Sequence, residues 1–159
     1  MPNHWIIVGS PDNFEKTAEL GFTIQGMKSR HRRKAERMGA GDRFAWYITG
    51  DQALAGYATI TGGFFEDHDP IWSPGKKSGK KSGKKKDEDY PWRVPIRKEV
   101  VLPRERWVPA EGLARRLAYV AKWPAEHWRL AFQGNVHEIG EDDFEIIRSE
   151  IEKAAIAAA

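Results

Sequence analysis

Residues 23–42, TIQGMKSRHRRKAERMGAGD, carry the chain from a short apolar stretch through a glycine into a strongly basic segment that ends at Gly39-Ala40-Gly41-Asp42. Read as a helix beginning near Ser29, the basic segment divides in two. His31, Ala35 and Met38 share one face at i, i+4, i+7, and Arg30, Lys34 and Arg37 share the other. Ser29 is the expected N-cap, because its hydroxyl can accept from a first-turn N–H. A helix start of this kind, with free N–H groups in a basic setting, suits an anion such as a phosphate. The same residues also suit a solvated basic helix resting an apolar face on a core, and charge runs are usually of that kind.

Working outward, 159 residues are most simply one domain, long enough to bury a core without staples. There are no cysteines, which excludes disulfides and thiolate metal sites. No apolar run approaches the roughly 18 residues of a membrane span, and MPNHWIIVGSPDN lacks the basic lead-in of a signal peptide, so a cytoplasmic location is expected. The 26 Lys+Arg and 23 Asp+Glu are unevenly spread. Residues 73–89, SPGKKSGKKSGKKKDED, hold seven Lys and three acids, and without them 19 basic and 20 acidic residues remain. Attraction to nucleic acid or an anionic surface is therefore concentrated in that segment and at 28–37. The SGKK repeat has no apolar residue to anchor it, so disorder is the expectation for 73–89.

His4–Gly9 reads as a buried strand, and Ser10-Pro11 as a helix start with Ser at the cap and Pro at the first position. Phe22–Gln25 is a second short strand. Arg43–Thr49 and Ala53–Thr61 form an antiparallel hairpin, with Phe44, Trp46 and Ile48 on one side of the first strand and Ala45, Tyr47 and Thr49 on the other. Gly56 marks a bulge or close backbone approach. Tyr90–Leu102 resumes the sheet, and Pro95 places that strand at an edge or a bulge. Pro109–Lys122 is predicted to be a helix burying Leu113, Leu117 and Val120, Pro124–Phe132 a shorter one, and Glu141–Ala157 a terminal one burying Phe144, Ile147 and Ile151. Strands with helices filling the gaps, without βαβ alternation, argue for α+β.

Three blocks carry a resemblance: IQGMKSRHRRKAERMGAGDRFAWYITG (24–50), Tyr90-Pro-Trp-Arg-Val94, and Trp123-Pro-Ala-Glu-His-Trp128 through Phe132-Gln-Gly-Asn-Val-His-Glu-Ile139. Together they resemble the EVE domain family of the PUA-like superfamily, related to the YTH-type base readers. The resemblance implies a curved PUA-like β-barrel of about 5–6 mostly antiparallel strands with surrounding helices. It also implies a non-catalytic module that takes one modified base of DNA or RNA into a pocket between the barrel and the 25–31 segment. On that reading Gly26, Met27, Lys28 and Ser29 supply backbone and hydroxyl contacts, with His31 at the rim or floor. Arg30, Arg33, Lys34 and Arg37 face phosphates, and Phe132 and Gln133 line the floor. Many relatives have a Trp where this chain has Gln25, which leaves a base pocket without one wall of an aromatic cage. The Gln25 amide is then a candidate for a base edge, and Trp72 or Trp92 for the missing wall.

Seven Trp support the same reading, since exposed rings stack unpaired bases for about 1–3 kcal/mol each. Trp72, Trp92, Trp107 and Trp123 fall where loops meet strands, whereas Trp46 and Trp128 fall inside periodic elements and are assigned to the core. Gly134 and Asn135 read equally well as a helix stop, and His137 as a core histidine. No cofactor is expected. Enzyme readings rest on scattered His and carboxylates such as Glu66-Asp67-His68-Asp69, whose neighbours point to opposite faces of an extended chain. There is no HExxH, phosphate loop or GxSxG. A metal-dependent enzyme acting on nucleic acid, and a small-molecule or protein-interaction domain using the same pocket, remain the alternatives.

Overall fold

The computed structural model describes residues 2–69, 71 and 89–158. Trp72 and residues 73–88 therefore lie outside the described residues, and with them the expectations placed there. In chain order the elements are β1 (His4–Gly9), α1 (Pro11–Glu19), β2 (Ile24–Met27), α2 (Arg32–Glu36), β3 (Arg43–Ile48) and β4 (Ala53–Ile60). They continue as β5 (Phe65–Glu66), β6 (Trp92–Val101), β7 (Val108–Pro109), α3 (Glu111–Ala114), β8 (Val136–Ile139) and α4 (Glu141–Ala158). The strands form one curled sheet in the order β2-β6-β4-β3-β1-β8, with β5 beside β6 and β7 beside β4. All pairs are antiparallel except β1 with β3. This is an α+β PUA-like half-barrel.

Both faces of the sheet are covered, and the alternation along the strands divides two cores. Trp5, Ile7, Phe44, Trp46 and Ile48 point into one, which Ala35 and Met38 of the α2 segment and Phe14 of α1 also enter. Ile6, Val8, Ala45 and Tyr47 point into the other, under Phe144, Ile147 and Ile151 of α4. The predicted two sides of β3 are the observed ones. Ser10 caps α1 through its Oγ, which accepts from the Asn13 N–H at 3.1 Å, with Pro11 at the first position. Gly56 sits opposite a register shift in β3, and a Cβ there would stand 2.2 Å from the Val100 carbonyl oxygen. Its role is close approach of β4 to β6.

Five expectations differ from the structure; two of them are simple, in that β2 is Ile24–Met27 and not Phe22–Gln25, and Ala125–Phe132 is a 3-10 helix kinked at His127. Pro95 lies on an interior strand: residues 92–95 of β6 pair with β2, and residues 96–101 pair with β4. The proline falls where the partner changes, so its missing N–H interrupts neither ladder, and its carbonyl accepts from the Thr61 N–H at 2.9 Å. Residues 109–122 bury Leu113, Leu117 and Val120 as predicted, but not as one helix. The Asp143 carboxylate accepts from the N–H groups of Ala118 and Tyr119 at 2.9 and 2.8 Å, which ends helical pairing after α3. Finally, Ser29 is not an N-cap. Ser29–His31 form a single 3-10 turn, and α2 begins only at Arg32.

Candidate nucleic-acid interface

A cavity of about 210 Å³ opens at the end of β1, and every block that carries the resemblance contributes to it. Lys28 comes from the first block, Tyr90 from the second, and Gly134 with Asn135 from the third, beside Ser10 and Asn13 of the α1 start. Asn135 is the side chain that joins them. Its Oδ1 accepts from the Lys28 N–H at 2.9 Å, and its Nδ2 donates to the Val8 carbonyl at 2.7 Å. Its own carbonyl accepts from the Val8 N–H at 2.7 Å. Gly134, at φ +92°, supplies the left-handed residue that turns the chain into this position. The lining includes the hydroxyls of Ser10 and Thr49, the Asn13 amide and, among the described residues, one aromatic side chain, Tyr90.

Tyr90 holds a left-handed φ of +49°, uncommon for a non-glycine residue and a form of local strain found near functional sites. Arg93 holds it there. This guanidinium, 1% exposed, donates from Nε to the Tyr90 carbonyl at 3.0 Å and from Nη2 to the carbonyls of Asp69 and Asp89 at 2.5 and 3.1 Å. Its Nη1 lies 3.6 Å from Asp67. One buried cation thus fastens 67–69 to 89–90, the two flanks of the lysine-rich segment. Gly26 makes room for the same wall, because a Cβ there would come within 2.7 Å of Ile71 Cδ1 and 3.1 Å of Tyr90 Cβ.

The ground beside the cavity is electropositive. His31 is pushed down to about 4, first by burial and then by Lys34, Arg30, His137 and Lys28. His137 is likewise pushed down to about 4, by burial and then Lys34. Both imidazoles are thus neutral at pH 7, and the Nε2 of each is buried without a hydrogen-bond partner among the described residues. His137 Nδ1 is 2.7 Å from the Tyr119 hydroxyl. Charge and burial together make this ground hospitable to an anion and hostile to a second cation.

The residues predicted for the site separate into three groups. Lys28 lines the cavity, and Gly26 stands behind its wall. Gln25, Met27, Trp92 and Phe132 are buried, the last three in the two cores. Gln25 Oε1 accepts from the Trp46 indole at 2.8 Å and its Nε2 donates to the Gly26 carbonyl at 3.0 Å, so its amide is already engaged. Met27 is wholly buried, and Phe132 stacks on Tyr47 with centroids 4.6 Å apart. Trp92 donates from Nε1 to the Ser29 carbonyl at 2.7 Å, fixing the turn from beneath, with Arg32 above its ring at 5.2 Å. Trp72 lies outside the described residues, and Ser29 and Gln133 are exposed.

The cations also divide. Lys34 donates to the Val136 carbonyl at 2.6 Å, and Arg37 forms a two-pronged pair with Glu138. Arg30 and Arg33 are exposed and have no acceptor among the described residues. Ser10, Asn13, Thr49 and Asn135 went unassigned to a pocket in the sequence reading. Ser10 and Asn13 carry only the local signal of a helix cap, and Asn135 that of a helix stop.

No family model matches the chain, and no curated protein matches it in sequence. Solved structures do match in fold. A protein from Pseudomonas putida is 18% identical, covers 92% of this chain and 98% of its own, and superposes with a TM-score of 0.60. The YTH domain of mmi1 in an RNA complex is 12% identical over 98% of this chain and 85% of that one, with a TM-score of 0.63. Human THYN1, in complex with DNA containing 5-methylcytosine, is 13% identical over 94% and 98%, with a TM-score of 0.58. The chain therefore has the fold shared by YTH domains and THYN1.

Proposed function

We propose that the protein is a non-catalytic reader of nucleic acid, an EVE-type member of the PUA-like group, which takes one modified base of a DNA or RNA strand into the cavity beside Asn135. The observation that carries this reading is convergence: three separated blocks meet at one cavity of about 210 Å³, which Lys28 lines at the head of a basic segment carrying the exposed Arg30 and Arg33. The fold it shares with structures solved with RNA and with methylated DNA supports the same reading. A base turned out of its stack offers a flat ring and a hydrogen-bonding edge. Tyr90 offers a ring, and Ser10, Asn13 and Thr49 offer donors and acceptors. On this reading the polar contacts of Ser10, Asn13 and Thr49 and the Tyr90 ring share recognition of the base.

The test is a thermal-shift panel of modified and parent nucleosides and short single strands, in deoxy and ribo series. A ligand that binds only the folded state raises the melting temperature by mass action. Stabilisation by one modified base over its parent, lost in Asn13→Ala, is the expected result. Equal shifts for all bases that vanish with added salt would leave electrostatic binding alone and end the reader assignment.

A further inference from the structure

A second cavity, of about 430 Å³, lies between α3 and the 120–128 segment and shares no lining residue with the first. Its volume falls within the roughly 300–1,000 Å³ of small-molecule sites, whereas the Asn135 cavity is smaller. Trp123, partly exposed, and Trp128, 6% exposed, both line it, with small residues including Ala114 and Ala125. Gly112 opens into it, since a Cβ built there would meet nothing within 4 Å. Arg115 stands at the lining with no acceptor among the described residues, and Glu111 stands there with no donor. Lys122 lies 5.8 Å from the Trp123 ring and Arg129 5.5 Å from that of Trp128, so the surroundings carry three cations against Glu111 and Glu126.

We infer that this is a second binding site, for a small molecule with a planar ring and one anionic group. The ring lies against Trp123, the anionic group meets the Arg115 guanidinium, and Glu111 accepts from any ring N–H or amine. Two ligand sources share this chemistry, a nucleoside monophosphate and an aryl carboxylate. Among the described residues the two surroundings differ in kind: the Asn135 cavity offers the Tyr90 ring among amides and hydroxyls, while this one offers the Trp123 indole and a guanidinium with no acceptor.

Isothermal titration of the full chain with adenosine 5′-monophosphate, and separately with 2-naphthoate, tests the inference. Saturable one-to-one binding of either is expected, and which one binds names the source. Gly112→Leu fills the cavity from a position with open space around its Cβ, so it should melt like the parent and lose binding. Arg115→Gln should weaken binding about tenfold or more, as loss of a charge-assisted hydrogen bond does. If neither probe saturates, or binding survives in Gly112→Leu, the inference is overturned.

Discussion

At Asn135 a single amide meets two chain segments far apart in sequence, accepting from Lys28 and donating to Val8. Asn135→Ala would leave a buried carbonyl and a half-buried N–H without partners. Each such group costs about 1–3 kcal/mol, and for a chain of this size each kcal/mol lowers the melting temperature by about 2–4 °C. Differential scanning calorimetry should show a drop of that order together with loss of base binding. An unchanged melting temperature would mean that water replaces the amide. His31 and His137 make a second prediction at the same scale. Their folded pKa of about 4 lies below the ordinary 6.5, so the unfolded chain takes up protons first as pH falls. Stability should therefore decline on acidification between pH 6.5 and 4.5, a window above the range of the lowered carboxylates Glu99, Glu145, Glu150 and Glu152. His4, lowered mainly by burial, adds with the same sign, whereas His68, raised by Asp89 and Glu66, acts in the opposite sense and above pH 6.5. Urea midpoints measured across the window should flatten in His137→Phe, and an unchanged slope in that variant would assign the effect elsewhere.

The β4–β6 seam depends on backbone contact that no side chain can share. A Cβ at Gly56 would meet the Val100 carbonyl oxygen at 2.2 Å and the Val101 Cα at 3.0 Å, both main-chain atoms that cannot swing aside. Gly56→Ala should cost about 3 kcal/mol or more, at the upper end of overpacking penalties. Urea denaturation measures it, and a loss below about 1 kcal/mol would show that the seam can open without penalty. Gly56 was also legible in the chain, as a glycine inside an otherwise continuous strand pattern. So were the sides of β3, the Ser10-Pro11 start of α1 and the inner face of α4, because periodicity and caps are local. The segment 109–122 was legible in burial but not in form, since Asp143, more than 20 residues away, interrupts it. Pro95 misled for a related reason, in that a proline sits harmlessly inside a sheet where the strand changes partners. The site was the least legible part. Lys28, Tyr90 and Asn135 stood in recognisable blocks, but nothing local distinguishes a core tryptophan such as Trp92 from one facing a ligand.

Charge sets the behaviour of the whole molecule, and its distribution separates attraction from recognition. Outside 73–89 the chain carries 19 basic and 20 acidic residues, and much of that charge is matched at short range. Arg32 pairs with Glu36, Arg43 with Glu145, Arg104 with Asp51, Arg116 with Glu150, and Arg148 with Glu145 and Glu152. The seven lysines between 76 and 86 have no acid within their own run. Nucleic-acid affinity falls with salt by a slope of about 0.7 per phosphate contact on a single strand, so these lysines set an upper bound of about 5 on what that run contributes. Deleting residues 76–86 should therefore weaken binding to every oligonucleotide at low salt and flatten the log–log salt plot, with the ratio of modified to unmodified base unchanged. Replacing Arg30 and Arg33 together should likewise lower affinity uniformly, with a slope change of up to about 0.7 per arginine on a single strand. Fluorescence anisotropy at several salt concentrations measures both quantities on one sample. If the deletion abolished the base preference while leaving the slope intact, recognition would reside in the lysine run and the cavity beside Asn135 would lose its role.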